Sequence, residues 1–309
     1  MKTKDDAIQL FHAYFYEWIT IYKQGAVRPI TYRKYLMTLQ RLTELAPTLT
    51  INELDKRRYQ KLINEYAKTH ERQTTMDFHH HLKSALLDAI DEGLLHTDPT
   101  RKVIIKGKTP APKKQKFLSQ HELKALLATL DLASKPNWDW FILLVAKTGL
   151  RFAEALALTP RDFDFINRTI KITKTWNYKN INGGFAMTKN QSSQRTLQID
   201  PRLCKQFAKI TKGLPLDKPI FITGRVFNST VNKRMEVLCH AANIPIISIH
   251  GLRHSHASAL IYAGVSIASI AKRLGHASVT TTQETYLHII HELENQDSGK
   301  IMRYLTTLT

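Results

Sequence analysis

The 309-residue sequence predicts a mainly α-helical protein with a small antiparallel β-sheet, divided into a helical first domain and an α+β second domain. Three observations predict this fold class. Apolar residues recur at helical spacing through residues 5–92 and again from residue 201 onward. A Pro-, Gly- and Lys-rich stretch at residues 105–116 interrupts all periodicity. Between the helical parts, residues 169–180 and 194–200 alternate as β-strands do.

Residues 1–104 are predicted to form a bundle of four short amphipathic helices. The first lies in DAIQLFHAYFYEWITIYK, and the second in TYRKYLMTLQRLTELA, with Thr31 as a candidate cap. The third lies in NELDKRRYQKLINEYAKTH, and the fourth in TTMDFHHHLKSALLDAIDEGLL, ending near Gly93. The three histidines 79–81 of the fourth helix should point to different faces, which favours a polar patch over a metal site.

Residues 105–116, IKGKTPAPKKQK, suit a semi-extended basic linker, and the second domain is predicted to span residues 117–309. Its first helix should begin with a capping box formed by Ser119 and Glu122. The apolar stretch WDWFILLVAKTGLRFAEALALT predicts a buried helix pair with Gly149 at the turn. The two strands follow, and helices dominate from Pro201 to the helix that carries Tyr286.

The charge of the chain indicates a polyanionic partner. Lys and Arg number 45 against 26 Asp and Glu, which gives a net charge of +19. Residues 108–309 hold +15 of this total, from 28 basic and 13 acidic residues, so the anion should bind mainly there. A basic surface kept for solubility is the plainer alternative. No stretch approaches the roughly 20 apolar residues of a membrane span, and two distant cysteines favour a reducing, cytoplasmic setting.

Six residues of the second domain are candidates for chemistry on a phosphate group. Arginine binds phosphate oxygens in pairs, cations neutralise a transition-state charge, and a phenol can act as a covalent nucleophile. Each residue alone also has an ordinary explanation as a surface charge, a cap or a core aromatic. The candidates are Arg151, Lys189, His250, Arg253, His276 and Tyr286.

The order of these residues resembles one family. The segments TGLRFAEALAL, TKNQSSQRTLQI, HGLRHSHASAL and LGHASVTTTQETYLHI follow one another as in the tyrosine recombinase (phage integrase) family. The pattern is Arg, a β-hairpin Lys, His-x-x-Arg, His or Trp, then Tyr, and it lies in about the last 200 residues. The N-terminal part more weakly resembles the core-binding domain of the family. The whole chain is most similar to integrases of temperate phages and of integrative elements from Gram-positive bacteria.

The resemblance implies a site-specific DNA recombinase that needs no metal and no cofactor. Tyr286 would attack a DNA phosphodiester, giving a 3′-phosphotyrosine bond and a free 5′-hydroxyl. Arg151 and Arg253 would bind the non-bridging oxygens, and His276 would donate a hydrogen bond to one of them. A phenolate leaves more readily than an alkoxide because the phenol pKa lies near ~10, so the covalent bond conserves the energy needed for rejoining.

Three further roles follow from the same resemblance. Lys189 would protonate the departing 5′ oxygen, and His250 would assist as a proton acceptor near the tyrosine. Glu154, one helical turn after Arg151, would hold an arginine in place.

Other interpretations of these residues stay open at the level of sequence. His250, His254 and His256 could suggest zinc, but no HExxH glutamate and no Cys or Asp at ligand spacing accompany them. A type IB topoisomerase would share the chemistry, although the two-domain size and compact LGH…Y spacing favour a recombinase. A catalytically silent DNA-binding regulator would have no need of the tyrosine.

The family also implies partners and a location. Double-stranded DNA, bound as attachment or core sites, would be held between the two domains by a tetramer on two duplexes. A directionality factor and a host DNA-bending protein are further expected partners, in the bacterial nucleoid of the cytoplasm. Family members of mobile elements often carry an additional N-terminal arm-binding domain, so this chain is either of the simpler kind or shortened. The tail, about residues 292–309, should hinge at Ser298-Gly299 and dock its apolar face in a groove, because so short a helix is marginal by itself. The groove could belong to the tail's own domain, whereas the resemblance implies docking on another protomer.

Overall fold

The structure is a computed structural model, and it describes residues 9–109, 115–188 and 191–307. In the last helix it describes the backbone alone for residue 288 and residues 290–301. The chain divides into two compact units, Met1–Lys113 and Lys114–Thr309. The predicted fold class, mainly helical with small antiparallel sheets, is confirmed.

The first unit is built from four helices. They are α1 (Phe11–Tyr22), α2 (Pro29–Leu45), α3 (Lys56–Ala67) and α4 (Arg72–Asp91). Most of the predicted apolar stripe of α1 is buried, with Phe11, Phe15 and Trp18 at most 2% exposed, but Tyr22 at its end is 47% exposed. Ile8, the first residue of that stripe, lies outside the described residues. The prediction that Thr31 caps α2 is wrong. The helix begins two residues earlier at Pro29, because proline has the φ angle of a first helical turn and lacks the amide hydrogen that would go unpaired there.

The first residues of the predicted linker pack against this unit. The Lys108 amide donates a hydrogen bond to the His70 carbonyl. Gly107 lies so close to the backbone of Arg72 that a Cβ atom on it would come within 2.1 Å of the Arg72 nitrogen. This part of the linker is therefore fixed along the connection between α3 and α4. Residues 110–114 lie outside the described residues.

The histidines 79–81 of α4 do point in different directions, but they do not form a polar surface patch. His79 is buried, and its Nδ1 atom lies 3.0 Å from the Tyr59 hydroxyl. The Nδ1 atom of His81 lies 2.8 Å from the Thr38 hydroxyl. Burial lowers the pKa of His79 to about 4, so it stays neutral at physiological pH. Two of the three histidines are therefore part of the packing of the bundle.

The second unit surrounds one buried helix. The predicted helix pair is confirmed as α6 and α7, and α6 is buried over nearly its whole length. The capping box of Ser119 and Glu122 at α5 is also confirmed. The helices of this unit are α5 (Gln120–Ala128), α6 (Trp138–Thr148), α7 (Phe152–Leu156), α8 (Pro201–Ile210), α9 (Asn228–Ala241), α10 (Ile249–Tyr262), α11 (Ile267–Leu274) and α12 (Val279–Thr306).

The strands of the second unit form two separate sheets. In the first, β2 (Thr169–Ile172) lies between β1 (Phe163–Asp164) and β5 (Arg195–Gln198), and both pairings are antiparallel. In the second, β3 (Lys174–Trp176) pairs with β4 (Phe185–Met187). The prediction of one continuous strand over residues 169–180 is therefore wrong. The chain leaves the first sheet at Thr173 and continues as a hairpin.

Gly149 ends α6 in the left-handed conformation, with φ of 68°. A Cβ atom there would lie 2.7 Å from the His256 ring and 2.9 Å from the Leu274 side chain. Only glycine combines this φ angle with so close an approach of α10 and α11. The turn places Arg151, the N-cap of α7, next to those two helices.

The hinge predicted at Ser298-Gly299 in the last helix is not present. The helix continues through Ser298 and Gly299 without a break, and the non-helical residue within it is Tyr286, with φ of −114° and ψ of 17°. Near its end the side chains of Met302, Tyr304 and Leu305 are exposed. Among the described residues, no helix is both long enough and apolar enough to cross a membrane.

Candidate active site

Two of the predicted arginines are held by backbone carbonyls at the ends of two helices. Arg253, on α10, donates from Nη1 to the Gly149 carbonyl at 2.7 Å and from Nη2 to the Leu274 carbonyl at 2.8 Å. Arg151 donates from Nη2 to the Gly275 carbonyl at 2.9 Å. The last carbonyls of a helix lack partners within it and carry partial negative charge. The C-terminal ends of α6 and α11 therefore bring the two guanidinium groups together.

Glu154 connects this pair to a third arginine. Its carboxylate accepts hydrogen bonds from Arg151 Nη1 at 2.7 Å, from the Arg151 amide at 3.0 Å and from Arg195 Nη2 at 3.0 Å. Burial acts to raise the pKa of Glu154, but Arg195 and Arg151 outweigh it, and the pKa lies below its ordinary value. Glu154 is therefore ionised at neutral pH and restrains two arginines.

Arg195 was not among the candidates from the sequence. It belongs to the segment TKNQSSQRTLQI, where an arginine next to a strand is most simply interpreted as a solvated charge. In the structure its side chain is 6% exposed, and its Nε atom donates to the Arg273 carbonyl at 2.7 Å. Arg195 is the one arginine of that segment, which could have drawn attention to it, but the neighbouring residues in the sequence do not indicate that its side chain is buried.

The arginine cluster carries more positive than negative charge. Among the described residues, Glu154 is the carboxylate that pairs with Arg151 and Arg195. Arg253 is 3% exposed, and burial together with the charge of Arg151 lowers its pKa to about 9. A guanidinium with so low a pKa is poorly compensated, since burial without a counter-charge destabilises the charged form. The site is therefore suited to bind an anion.

His276 adjoins the cluster at the end of α11. It follows Gly275, which caps the helix in the left-handed conformation. Its Nδ1 atom lies 2.7 Å from the buried Thr282 hydroxyl. Burial and the charges of Arg253 and Arg151 lower the pKa of His276 to about 4, so the ring is neutral. When the Thr282 hydroxyl donates to Nδ1, the ring proton is on Nε2, and that N–H group can donate a hydrogen bond to an anion.

Tyr286 is buried beside the same cluster. Its side chain is 2% exposed, and its hydroxyl lies 2.9 Å from the Nδ1 atom of His254. Burial raises the pKa of Tyr286 to about 12, against a smaller opposite effect of Arg253. The phenol is therefore protonated in the DNA-free protein. Tyr286 also lies at the break of α12, where its own φ and ψ angles are non-helical.

The histidine that contacts Tyr286 is His254 and not the predicted His250. His250 is exposed on α10, and its ring meets the His254 ring edge to face, with centroids 5.0 Å apart. Desolvation by the groups around its ring and the charges of Arg253 and Arg151 lower the pKa of His250. His254 follows Arg253 directly and shares a helical face with His250, a spacing that could have indicated it.

Lys189, the predicted general acid, lies outside the described residues, in the connection between β4 and β5. Lys174 and Lys179 are the alternatives to Lys189 for the role of general acid. The ammonium group of Lys174 is held by the Asp162 carboxylate at 2.7 Å. This ion pair holds the Lys174 ammonium group at the start of the first sheet, which makes Lys174 a poor replacement for Lys189 as the general acid.

The zinc interpretation of the histidines finds no support in the part of the chain that the structure describes. No group of three His, Cys, Asp or Glu residues there is placed to hold a metal ion. His256 instead contacts the Ala146 carbonyl through Nδ1, and its Nε2 atom accepts a hydrogen bond from Arg273 at 2.9 Å. It fastens α10 to α6 and α11.

Comparison with known proteins identifies the family. The model of the phage integrase family matches residues 116–292, which is more than half of the chain and includes every residue of the site. The chain belongs to the phage integrase family. The match lies within the second unit.

The integrase chain also has relatives over most of its length. The integrase of Staphylococcus phage L54a is 25% identical in an alignment covering 94% of this chain and 92% of the relative. The ICEBs1 integrase of Bacillus subtilis is 27% identical over 69% of this chain and 61% of the relative. The transposase of transposon Tn916 from Enterococcus faecalis is 26% identical over 86% and 72%. By name, the first is a protein of a phage and the third a protein of a transposon.

Solved structures share the integrase fold. The Tn1549 transposon integrase, in complex with a circular intermediate DNA, matches with a TM-score of 0.75 and 16% identity over 89% of this chain and 94% of that one. A lambda integrase dimer bound to a core site matches with a TM-score of 0.65 and 16% identity over 88% and 76%. At such identities the likeness establishes the fold.

Proposed function

We propose that this integrase is a site-specific DNA recombinase that integrates and excises a mobile element. It cleaves and rejoins double-stranded DNA through a 3′-phosphotyrosine intermediate on Tyr286. The observation that carries the proposal is a buried arginine cluster with surplus positive charge next to a buried tyrosine hydroxyl. The cluster suits a phosphodiester anion, and the phenol suits attack on it. The relatives named integrase and transposase support the same function.

The arginines and His276 bind the scissile phosphate. Arg151 and Arg253 each use part of their donors on backbone carbonyls, which fixes the guanidinium planes. Arg151 also donates from Nη1 to Glu154. The remaining donors of the two arginines would bind the non-bridging oxygens, and His276 adds a neutral donor from Nε2. Charge then develops on these oxygens in the transition state, where fixed donors stabilise it most. Glu154 and Arg195 act through Arg151 and hold it in place.

In the cleavage step the Tyr286 oxygen forms a bond to phosphorus while the bond to the 5′ oxygen breaks. The phenol loses its proton to a neighbouring base, and Lys189 gives a proton to the departing 5′ oxygen. Rejoining reverses each transfer, so no proton or bond is lost over the cycle. A phenol ester of phosphate is reactive enough for the 5′-hydroxyl of another strand to displace the tyrosine without ATP.

We further propose how the parts of the chain act on DNA. Residues 1–104 form a core-binding domain, residues 105–116 a basic linker and residues 117–309 the catalytic domain. Most positive charge lies in residues 108–309, so phosphate contacts there should dominate the affinity for DNA and make it sensitive to salt.

A nicked duplex tests the reaction. The duplex carries the junction sequence that flanks the gene, with the nick placed so that the cleaved end diffuses away and the covalent adduct accumulates. Wild-type protein should form the adduct and join a second duplex. Tyr286→Phe should form none while still binding the duplex, and Tyr304→Phe, an exposed tyrosine of the same helix, should react like the wild type. An adduct in Tyr286→Phe would assign the nucleophile elsewhere. In a separate assay, relaxation of a supercoiled plasmid without exchange of strands between duplexes would favour a topoisomerase.

The working assembly is proposed to be a tetramer on two duplexes. Helix α12 extends 20 residues beyond Tyr286 and ends with exposed Met302, Tyr304 and Leu305, which suit a groove on another copy. Deletion of residues 298–309 should leave binding to one site intact and reduce the formation of paired sites, measured by native gel electrophoresis. Equal pairing by the shortened chain would show that the tail does not connect the protomers.

A further inference from the structure

The identity of the base that takes the proton of the nucleophile follows from the surroundings of the Tyr286 hydroxyl. That hydroxyl lies within hydrogen-bond distance of the Nδ1 atom of His254, at 2.9 Å. His276 uses its own Nδ1 atom on Thr282. His250 contacts the ring of His254. Among the described histidines of the site, His254 is therefore the one in place to exchange a proton with Tyr286.

We propose that His254 is a catalytic residue, which accepts the hydroxyl proton of Tyr286 when the phenol attacks the phosphate and returns it on rejoining. The inference rests on the proposed recombinase function. It assigns to His254 the role that the resemblance to the family assigned to His250. His250 then acts through the His254 ring and is a positioning residue.

The resting charges of the two partners agree with this direction of transfer. The pKa of Tyr286 is raised to about 12, so the phenol keeps its proton before DNA binds. The pKa of His254 is lowered to about 4 by burial and by its cationic neighbours, so the imidazole is neutral. The charged and titratable groups around it are His250 and Arg253 on its own helix, Lys116 and Tyr286. A neutral imidazole beside a protonated phenol can accept its proton.

Binding of the phosphate makes the transfer favourable. The phosphodiester brings negative charge next to Arg253, whose charge holds down the pKa of His254 in the free protein. The pKa of His254 therefore rises when DNA is bound. As the bond from oxygen to phosphorus forms, the phenol becomes far more acidic. The O–H bond breaks, the N–H bond of an imidazolium forms, and Lys189 separately protonates the 5′ oxygen, so every proton has a donor and an acceptor.

Two substitutions separate proton transfer from mere placement of the phenol. His254→Ala removes both, whereas His254→Asn keeps a hydrogen-bonding atom near the position of Nδ1 but has no basic nitrogen. Loss of a general base typically costs about 10²–10⁴-fold in rate. We expect both variants to form the covalent adduct on the nicked duplex slower by that factor, with binding to the duplex nearly unchanged.

Added imidazole gives a readout that a structural role would not change. Imidazole should restore a substantial part of the rate of His254→Ala, with a pH dependence that follows the neutral form of imidazole. His240→Ala, an exposed histidine on α9, is the matched control and should keep the wild-type rate with or without imidazole. Thermal unfolding of each variant checks that α10 is intact, and His254→Asn decides the matter if His254→Ala does not fold.

Each alternative outcome is distinguishable. His254→Ala or His254→Asn reacting at the wild-type rate would overturn the inference. So would imidazole rescue of His250→Ala combined with none for His254→Ala, which would make His250 the acceptor. If the wild type forms no adduct, the proposed function itself fails and not merely the assignment of its base.

Discussion

The replacement Glu154→Gln tests whether the arginine cluster lacks negative charge. The carboxylate is 1% exposed and accepts three hydrogen bonds, two from Arg151 and one from Arg195. A glutamine keeps the shape but offers one oxygen, and its amide hydrogens face a guanidinium donor. Removing one partner of a buried ion pair costs about 3–5 kcal/mol in the free energy of unfolding. Because Arg151 is 31% exposed and one acceptor survives, we expect about 2–4 kcal/mol here.

Thermal unfolding measures this loss. At roughly 2–4 °C per kcal/mol for a domain of this size, the melting temperature of the catalytic unit should fall by about 5–15 °C. Glu236→Gln, which changes an exposed carboxylate on α9, is the matched control and should change it little. Sulfate or duplex DNA should raise the melting temperature of Glu154→Gln more than that of the wild type. Without the Glu154 carboxylate, more of the positive charge of the arginines is unpaired, and a bound anion neutralises it.

The pH dependence adds a second check with a defined sign. The pKa of Glu154 in the folded protein lies below its ordinary value of 4.5, so its charge stabilises the fold above that value. This stabilisation is lost as pH falls through the folded pKa. The unfolding curves of wild type and variant should therefore converge in acid. An equal melting temperature at pH 7, or a difference that persists in acid, would refute the reasoning.

Three further predictions concern the chemistry. Thr282→Val should slow formation of the adduct by up to about 10²-fold, because His276 loses the hydroxyl that selects its Nε2 proton, and Thr282→Ser should recover the rate; an unaffected Thr282→Val would remove this role. Lys189→Ala should slow cleavage about 10²–10⁴-fold, and a 5′-bridging phosphorothiolate, whose sulfur leaves without protonation, should rescue it; failure of rescue would show that another group is the acid. Cleavage should proceed in EDTA at the untreated rate, and a loss reversed by added metal would contradict the metal-free mechanism.

Much of the site could be predicted because most of its residues are recognisable within short segments of the sequence. Arg151, Arg253, His276 and Tyr286 each occur in a short segment, and the order of those segments is specific although no segment is. Gly149 could be predicted to end a helix from the apolar stretch that it interrupts. The structure then adds that this same turn supplies an acceptor carbonyl to Arg253.

The rest depended on contacts between distant segments. Arg195 is buried only because β5 pairs with β2 and α11 ends beside it, and the sequence of β5 carries neither fact. The choice between His250 and His254 depends on where the break in α12 places the tyrosine. The hinge expected at Ser298-Gly299 did not form because one glycine costs a helix only about 1 kcal/mol.

The carbonyls that hold Arg151 and Arg253 have a consequence for sequence tolerance. Main-chain acceptors are present whatever side chain occupies a position, so the frame of the phosphate site depends on the path of the backbone. That path passes through Gly149 and Gly275, where φ is positive and an added Cβ would lie within 3.0 Å of a neighbouring side chain. Residues that make no contact with the arginines or with Glu154 are thus free to diverge or to be redesigned for new DNA sequences, whereas at either of these two glycines a single methyl group would disturb the backbone that holds the arginines.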